Sequence, residues 1–314
     1  MDQDLLVGAT GFVGGNLAAS HSFARTCHST DVADQYGSKP SLCVYAGVPA
    51  AMFLANADPE ADLAVMRAAR ENLRRIAPRR LVLISSIAVY ADSRGKDEES
   101  PMDQANLAAY GSNRLQLERW VREDFEQALI VRLPALYGIG LKKNFLFDLH
   151  TITPSMLRPE KYEELAARSE AVRTGYALAD NGFYRQCPQA DRRALRTFFE
   201  HNDFNALCFT DSRSRYQFYH LSRLWRDLEQ GMAAGLTLLN LTTPPVSAAQ
   251  VYTAVTGRTG WVNELDKPPF DYDLRSRHAA LLGGGDGYLC TEAEELAGIC
   301  AFMKRWDEKE ERHG

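Results

Sequence analysis

Near the N-terminus, Leu5-Leu6-Val7-Gly8-Ala9-Thr10-Gly11-Phe12-Val13-Gly14 feeds an apolar run straight into spaced glycines. That pattern suits the binding of phosphate. Gly8 can take a tight turn, Gly11 lets backbone approach a pyrophosphate, and Gly14 lets the next helix pack closely on the strand. The free N–H groups and positive dipole end at that helix's start then face anionic oxygens. The spacing is GxxGxxG in place of GxGxxG. A glycine triplet alone is weak evidence, and it gains weight here from lying between a strand and a helix at the opening of an α/β pattern. A second grouping is Tyr110 with Arg114. Residues four apart share one helix face, so a phenol and a permanent cation point at one site. A free tyrosine titrates near ~10, and acid–base work near pH ~7 needs about 4 kcal/mol of anion stabilisation. A neighbouring cation supplies part of that. Arginine's fork is wider than a lysine ammonium and is not a simple replacement for it.

These groups must be positioned by alternating strands and helices. Asp4–Val7, Arg25–Ser29, Ser41–Ala46, Leu81–Ser85 and Ala128–Leu133 are short runs with strand character. Between them Gly14–Ala24, Pro59–Ile76 and Asn106–Phe125 have helical composition. Such alternation predicts an α/β fold with a Rossmann-type, doubly wound parallel sheet. After about residue 150 the rhythm changes. Helical patterns at Pro159–Val172, Asp191–His201, Ser247–Val255 and Glu292–Lys309 surround one further strand, Leu236–Leu241. The expected division is residues 1–145 as the sheet domain and 146–314 as a smaller, mostly helical substrate-binding region, with segments returning to the first domain.

Bulk properties narrow the function classes. The 314 residues suffice for one large or two smaller domains. A net charge of -5 gives no general attraction to nucleic acid or anionic membranes, and no basic stripe with interleaved aromatics occurs. The acidic start, Met1-Asp2-Gln3-Asp4, before a short apolar run is unlike a secretory signal, and no run of about 18 apolar residues could span a bilayer. The six cysteines form neither a CxxC pair nor a zinc-spaced cluster, so no metal site is expected, and they read as reduced, mostly buried thiols in a cytoplasm.

The loop Val7-Gly8-Ala9-Thr10-Gly11-Phe12-Val13-Gly14 resembles the opening of the extended short-chain dehydrogenase/reductase family, which includes the NAD-dependent epimerase/dehydratase group of nucleotide-sugar enzymes. Three further segments carry the resemblance: Leu81-Val82-Leu83-Ile84-Ser85-Ser86-Ile87-Ala88-Val89-Tyr90, Tyr110-Gly111-Ser112-Asn113-Arg114, and Val131-Arg132-Leu133-Pro134-Ala135-Leu136-Tyr137-Gly138. The resemblance is close over residues 4–144 and thin over 151–210. It implies a nicotinamide dinucleotide held by Gly8, Thr10, Gly11, Phe12, Val13 and Gly14. It implies Ser86 as the orienting hydroxyl, with Ser85 the near alternative on the cofactor side, and Tyr110 as the proton donor or acceptor. It implies Leu133 and Pro134 beside the nicotinamide carboxamide.

Arg114 departs from the family's Tyr-x-x-x-Lys, in which the lysine holds the nicotinamide ribose and lowers the tyrosine pKa. Either Arg114 does the lysine's work or the chain binds cofactor with weak or absent turnover. The family's dehydratases carry acids after the hydroxyl residue. Ser86-Ile87-Ala88 has none, so reduction or epimerisation is favoured.

The choice of dinucleotide rests on the second strand. Its end, His28-Ser29, has no acid. Asp31 and Val32 resemble the family's pair beside adenine, which leaves Arg25, His28 and Ser29 for a 2′-phosphate and favours NADP. If Asp31 meets the ribose instead, the cofactor is NAD. Ala46, Gly47 and Val48 resemble the strand end beneath the cofactor.

On the substrate side, Asn144 matches an asparagine that contacts the sugar diphosphate in nucleotide-sugar members. Arg213 is of the type that meets a carboxylate or phosphate bidentately, and His220 reads as a packed or capping histidine. The expected partner is a small molecule, a nucleotide sugar or related carbonyl or hydroxyl compound, with a homodimer as the expected assembly. Two readings compete: an NAD(P)-dependent oxidoreductase or epimerase, and a non-catalytic NAD(P)-binding sensor or partner protein.

Overall fold

The computed structural model describes residues 3–313; Met1, Asp2 and Gly314 lie outside it, and with them the first two residues of the acidic start. In chain order the first elements are β1 (Asp4–Val7), α1 (Phe12–Ser20), β2 (Arg25–Cys27), β3 (Leu42–Tyr45), α2 (Met52–Ala57), α3 (Pro59–Ile76), β4 (Leu81–Ser86), α4 (Ala109–Asp124), β5 (Ala128–Leu133) and β6 (Ala135–Tyr137). Then follow α5 (Phe145–Thr151), β7 (Met156–Leu157), α6 (Pro159–Ala166), α7 (Glu170–Gly175), β8 (Tyr176–Leu178), β9 (Tyr184–Gln186) and α8 (Arg192–Glu200). The last are β10 (Arg215–Tyr216), β11 (Phe218–His220), α9 (Leu224–Ala233), β12 (Leu238–Asn240), β13 (Val246–Ser247), α10 (Ala248–Thr256) and α11 (Glu292–His313).

The chain divides into two units. The larger combines the residues up to Leu141 with Arg215–Val246 and Asp271–Phe302, and the smaller combines Lys142–Ser214, Ser247–Phe270 and the residues from Met303 onward. The larger unit carries a six-stranded sheet in the order β12-β5-β4-β3-β1-β2, parallel at every pairing. Its strands lie between two layers, so both faces are apolar: β1 and β5 are buried at every residue. One face packs on Met66, Ala69, Leu73 and Ile76 of α3. These positions recur at helical spacing, and the helix is bounded as its ends require. Asp58 accepts the Ala61 N–H, Pro59 occupies the first turn, and Ala77 closes the helix in the left-handed region.

The strand order places the switch point. From β1 the chain goes outward to β2, then returns across β1 to β3. In doubly wound sheets ligands bind beyond the strand C-termini at that reversal. Here it falls between Gly8 and Ala46-Gly47. The sheet ends at β2, and the connection from β2 to β3 contains one short 3-10 turn, Val32–Gln35, and no α-helix.

The smaller unit has its own core, built on Leu157, Leu165, Val172, Tyr176, Leu195 and Phe199. Beside its helices lies a three-stranded antiparallel sheet, β7-β9-β8, a feature absent from the mostly helical expectation. The expected helix over 159–172 is two helices. It breaks before Ser169, whose hydroxyl accepts the Val172 N–H and starts α7. None of the six cysteines is disulfide-bonded; Cys27 and Cys43 are buried and the other four half-buried. No helix among the described residues is long and apolar enough to cross a membrane.

Candidate active site

Gly8 sits at φ 87°, where a side chain is strained, and a Cβ there would lie 2.6 Å from the Ala46 carbonyl oxygen and 2.8 Å from the Gly47 α-carbon. A Cβ on Gly14 would lie 2.1 Å from the Gly8 carbonyl oxygen, so α1 presses on the loop backbone. Gly11 is the N-cap of α1 and offers no side-chain cap, and the first turn contains no acid. The first-turn N–H groups therefore face an uncapped end, as an anion site requires. The close loop backbone and the uncapped helix start fit a dinucleotide pyrophosphate. Thr10 Oγ1 hydrogen-bonds His28 Nδ1 at 2.8 Å, tying the loop to the end of β2. A Cβ on Gly47 would lie 3.4 Å from Ser29 Cβ, so the ends of β2 and β3 meet across β1. His28, Ser29 and Asp31 are exposed, Val32 is buried, and Ala46, Gly47 and Val48 are half-buried.

The Ser86 and Tyr110 segments are brought together by a glycine. A Cβ on Gly111 would lie 2.0 Å from the Ala88 carbonyl oxygen, so the first turn of α4 rests on the short turn Ile87–Val89 that follows Ser86. Ala108 precedes α4 and cannot cap it. Asn56 of α2 does so instead, its Oδ1 accepting the Tyr110 N–H at 2.9 Å. The sequence reading missed Asn56, because this cap comes from a residue 54 positions away. The Ser86 hydroxyl accepts the Ala88 N–H at 3.2 Å. Ser85 is committed elsewhere: its Oγ donates to Glu118 at 2.6 Å.

Glu118 belongs to a polar network inside the sheet layer. Arg132 binds it through Nε at 3.0 Å and Nη2 at 2.6 Å, and both side chains are fully buried. Arg132 Nη1 donates to the Tyr90 hydroxyl at 2.7 Å, which also accepts from Asn240 Nδ2 at 2.9 Å. Burial pushes the Tyr90 phenol up, with Arg132 opposing. Arg132 thus fastens β5 to α4, fixing the backbone at Leu133, which is buried, and Pro134, which is half-buried. The signal in the sequence was the charge itself, set in the otherwise apolar strand Ala-Leu-Ile-Val-Arg-Leu.

Arg114 is not a free cation. It is buried and ion-paired with Asp62 of α3, Nη2 donates to the Pro49 carbonyl at 2.6 Å, and its guanidinium carbon lies 4.0 Å from the Tyr110 ring centre. Asn113 Nδ2 binds the same Asp62 oxygen at 2.9 Å. The expected facing of Tyr110 and Arg114 is present, but the charge is neutralised inside the protein. The residue that does so, Asp62, was missed.

The substrate-side candidates lie in the smaller unit. Asn144 adopts φ 105° and its Oδ1 accepts the Leu146 and Phe147 N–H groups, capping α5. Arg213 is committed to two carboxylates: Asp211, through Nε at 3.0 Å and Nη2 at 2.8 Å, and Glu264 at 2.8 Å. That pairing holds the Asp211 carboxyl well below the usual carboxylate range. Burial raises Asp148, on α5, to about 7. In the larger unit, His220 Nδ1 accepts the Ser222 N–H at 3.1 Å, a capping role.

Residues 4–156 match the family described as RmlD substrate binding domain. Among solved structures, the chain is similar to a dTDP-4-dehydrorhamnose reductase from Bacillus anthracis, in complex with NADP, at 13% identity and TM-score 0.61, over 97% of this chain and 99% of that one. The likeness is one of fold. The Bordetella bronchiseptica enzyme WbmG in complex with NAD and UDP is similar at 14% identity and TM-score 0.59, over 97% and 94%. So is UDP-glucose 4-epimerase from Thermotoga maritima with UDP-glucose, at 11% identity and TM-score 0.59, over 98% and 99%. No curated protein matches the chain by sequence.

Proposed function

We propose that the chain is an NAD(P)-dependent reductase or epimerase acting on a nucleotide-linked sugar or a related carbonyl compound. The observation that carries this reading is the pairing of a glycine cradle at the β1/β3 switch point with Ser86 and Tyr110, joined through the Gly111–Ala88 contact. Held at the Gly8–Gly14 loop, a nicotinamide dinucleotide would supply or accept the hydride. Tyr110 supplies a proton to the substrate oxygen, or accepts one from it, and Ser86, whose one side-chain hydrogen bond among the described residues uses its acceptor side, donates to the same oxygen. The exposed His28 and Ser29 beside the loop, with no acid at the end of β2, favour NADP over NAD. The similar structures, complexed with NADP, with NAD and UDP, or with UDP-glucose, support the dinucleotide and sugar-nucleotide classes.

The test is turnover of a panel of dTDP- and UDP-linked sugars and keto-sugars with either cofactor, in the native chain and in Tyr110→Phe. The variant is expected to lose turnover while its cofactor affinity stays within a few-fold; undiminished turnover overturns the mechanism. The second reading, a dinucleotide binder with weak turnover, draws on one observation, the neutralisation of Arg114 by Asp62. It predicts cofactor binding with no turnover across the panel.

A further inference from the structure

We propose that Asp62 is the positioning residue of the Tyr110 site: it holds the Arg114 guanidinium against the Tyr110 ring and takes up its charge, so that Arg114 braces the phenol and little of its field reaches a bound dinucleotide. The inference rests on the reading of the Gly8 loop as a dinucleotide cradle.

The geometry is specific. Arg114 is 4% exposed and Asp62 10%, and a charge so buried needs an opposite charge beside it. The fork spans three separate partners: the Asp62 carboxylate on one nitrogen, the Pro49 carbonyl on the other, and the Tyr110 ring against the guanidinium plane. A lysine ammonium, a compact point charge, could not meet all three at once. Arginine at 114 and aspartate at 62 therefore form a matched pair. The pair is tied to the strand end beneath the cradle. Arg114 holds the Pro49 carbonyl, and Pro49 follows Ala46 and Gly47, against which Gly8 packs. A change in the net charge of the pair is thus felt where the dinucleotide's phosphates are read to sit.

The experiment is a double-mutant cycle read by nicotinamide fluorescence on titration with NADPH and with NADH, at low and high salt, with the melting temperature of each variant alongside. Asp62→Asn uncovers the Arg114 charge and is expected to tighten dinucleotide binding by about five- to tenfold, a gain that shrinks as salt screens it. Asp62→Glu keeps the charge and is expected to retain native affinity. In an Arg114→Gln background Asp62→Asn is expected to change affinity by less than about twofold. Equal effects of Asp62→Asn and Asp62→Glu, or tightening that persists without the arginine, overturn the proposal.

Should Asp62→Asn fold poorly, the melting temperatures decide. The neutral pair Asp62→Asn with Arg114→Gln is expected to melt higher than Asp62→Asn alone, and a lower value overturns the proposal. If the native chain binds neither dinucleotide, the cradle reading fails. The inference falls with it, whereas native binding that Asp62→Asn does not tighten overturns the inference alone and leaves the cradle reading standing.

Discussion

The glycine cradle and the Tyr110–Arg114 site were read from sequence by the same kind of motif, yet the structure treats them differently. At the cradle the motif and the geometry agree. Gly8 and Gly14 are glycines because backbone stands where their side chains would be. At the second site the positions agree and one role does not. Tyr110 is set beside the turn after Ser86, but Arg114 is turned inward and spent on Asp62. A steric requirement within a few residues of sequence is legible from spacing. The effect of a charge depends on which opposite charge the fold brings to it, and that partner lies 52 residues away.

The largest expected effect breaks the first region. Gly14→Val places atoms inside the Gly8 carbonyl contact, and the cost is expected to exceed about 4 kcal/mol in denaturant unfolding. A loss under about 1 kcal/mol would show that the helix and loop can separate. Next comes Glu118→Gln, which leaves Arg132 buried without its counter-charge. A loss of about 3–5 kcal/mol is expected by the same measurement. Removing the Asn56 cap sharpens the contrast at the second site. Asn56→Ala is expected to cost only about 1 kcal/mol. It should also lower turnover more than its stability loss explains, because the cap sets the first turn on which Tyr110 stands.

A pH dependence is expected away from both regions. Burial raises the Glu295 carboxyl to about 8. The folded-state value lies above the unfolded one, so the neutral form stabilises the fold below about pH 4.5, and this is lost as pH rises through about 8. Glu295→Gln is expected to melt higher than the native chain above about pH 8 and alike below about pH 4.5. Parallel melting curves across that range would contradict this.

Much of the larger unit was legible because its signals are local. β1, α3 and β5 span the same residues as the runs read from sequence, since apolar strands and the Asp58-Pro59 helix start are written in adjacent residues. What was not legible comes in two kinds. β7, β8 and β9 have two or three residues each, too few to show alternation, so their sheet escaped notice. Asn56, Asp62 and Glu118 were missed as site residues for the other reason. Each acts through a contact between elements distant in sequence, and nothing in its own neighbourhood marks it. Asn144 and Arg213 show the converse: both were singled out by residue type, and the structure uses one to cap α5 and the other to hold Asp211 and Glu264.

The most direct test of the account is titration of the native chain, separately with NADPH and NADH, followed by nicotinamide fluorescence. The account predicts saturable binding in the micromolar range, about -8 kcal/mol, tighter for NADPH, and lost in a folded variant that places a side chain at Gly11. Binding of neither dinucleotide would contradict it, because the cradle would then be a turn that packs α1 onto the sheet and nothing more.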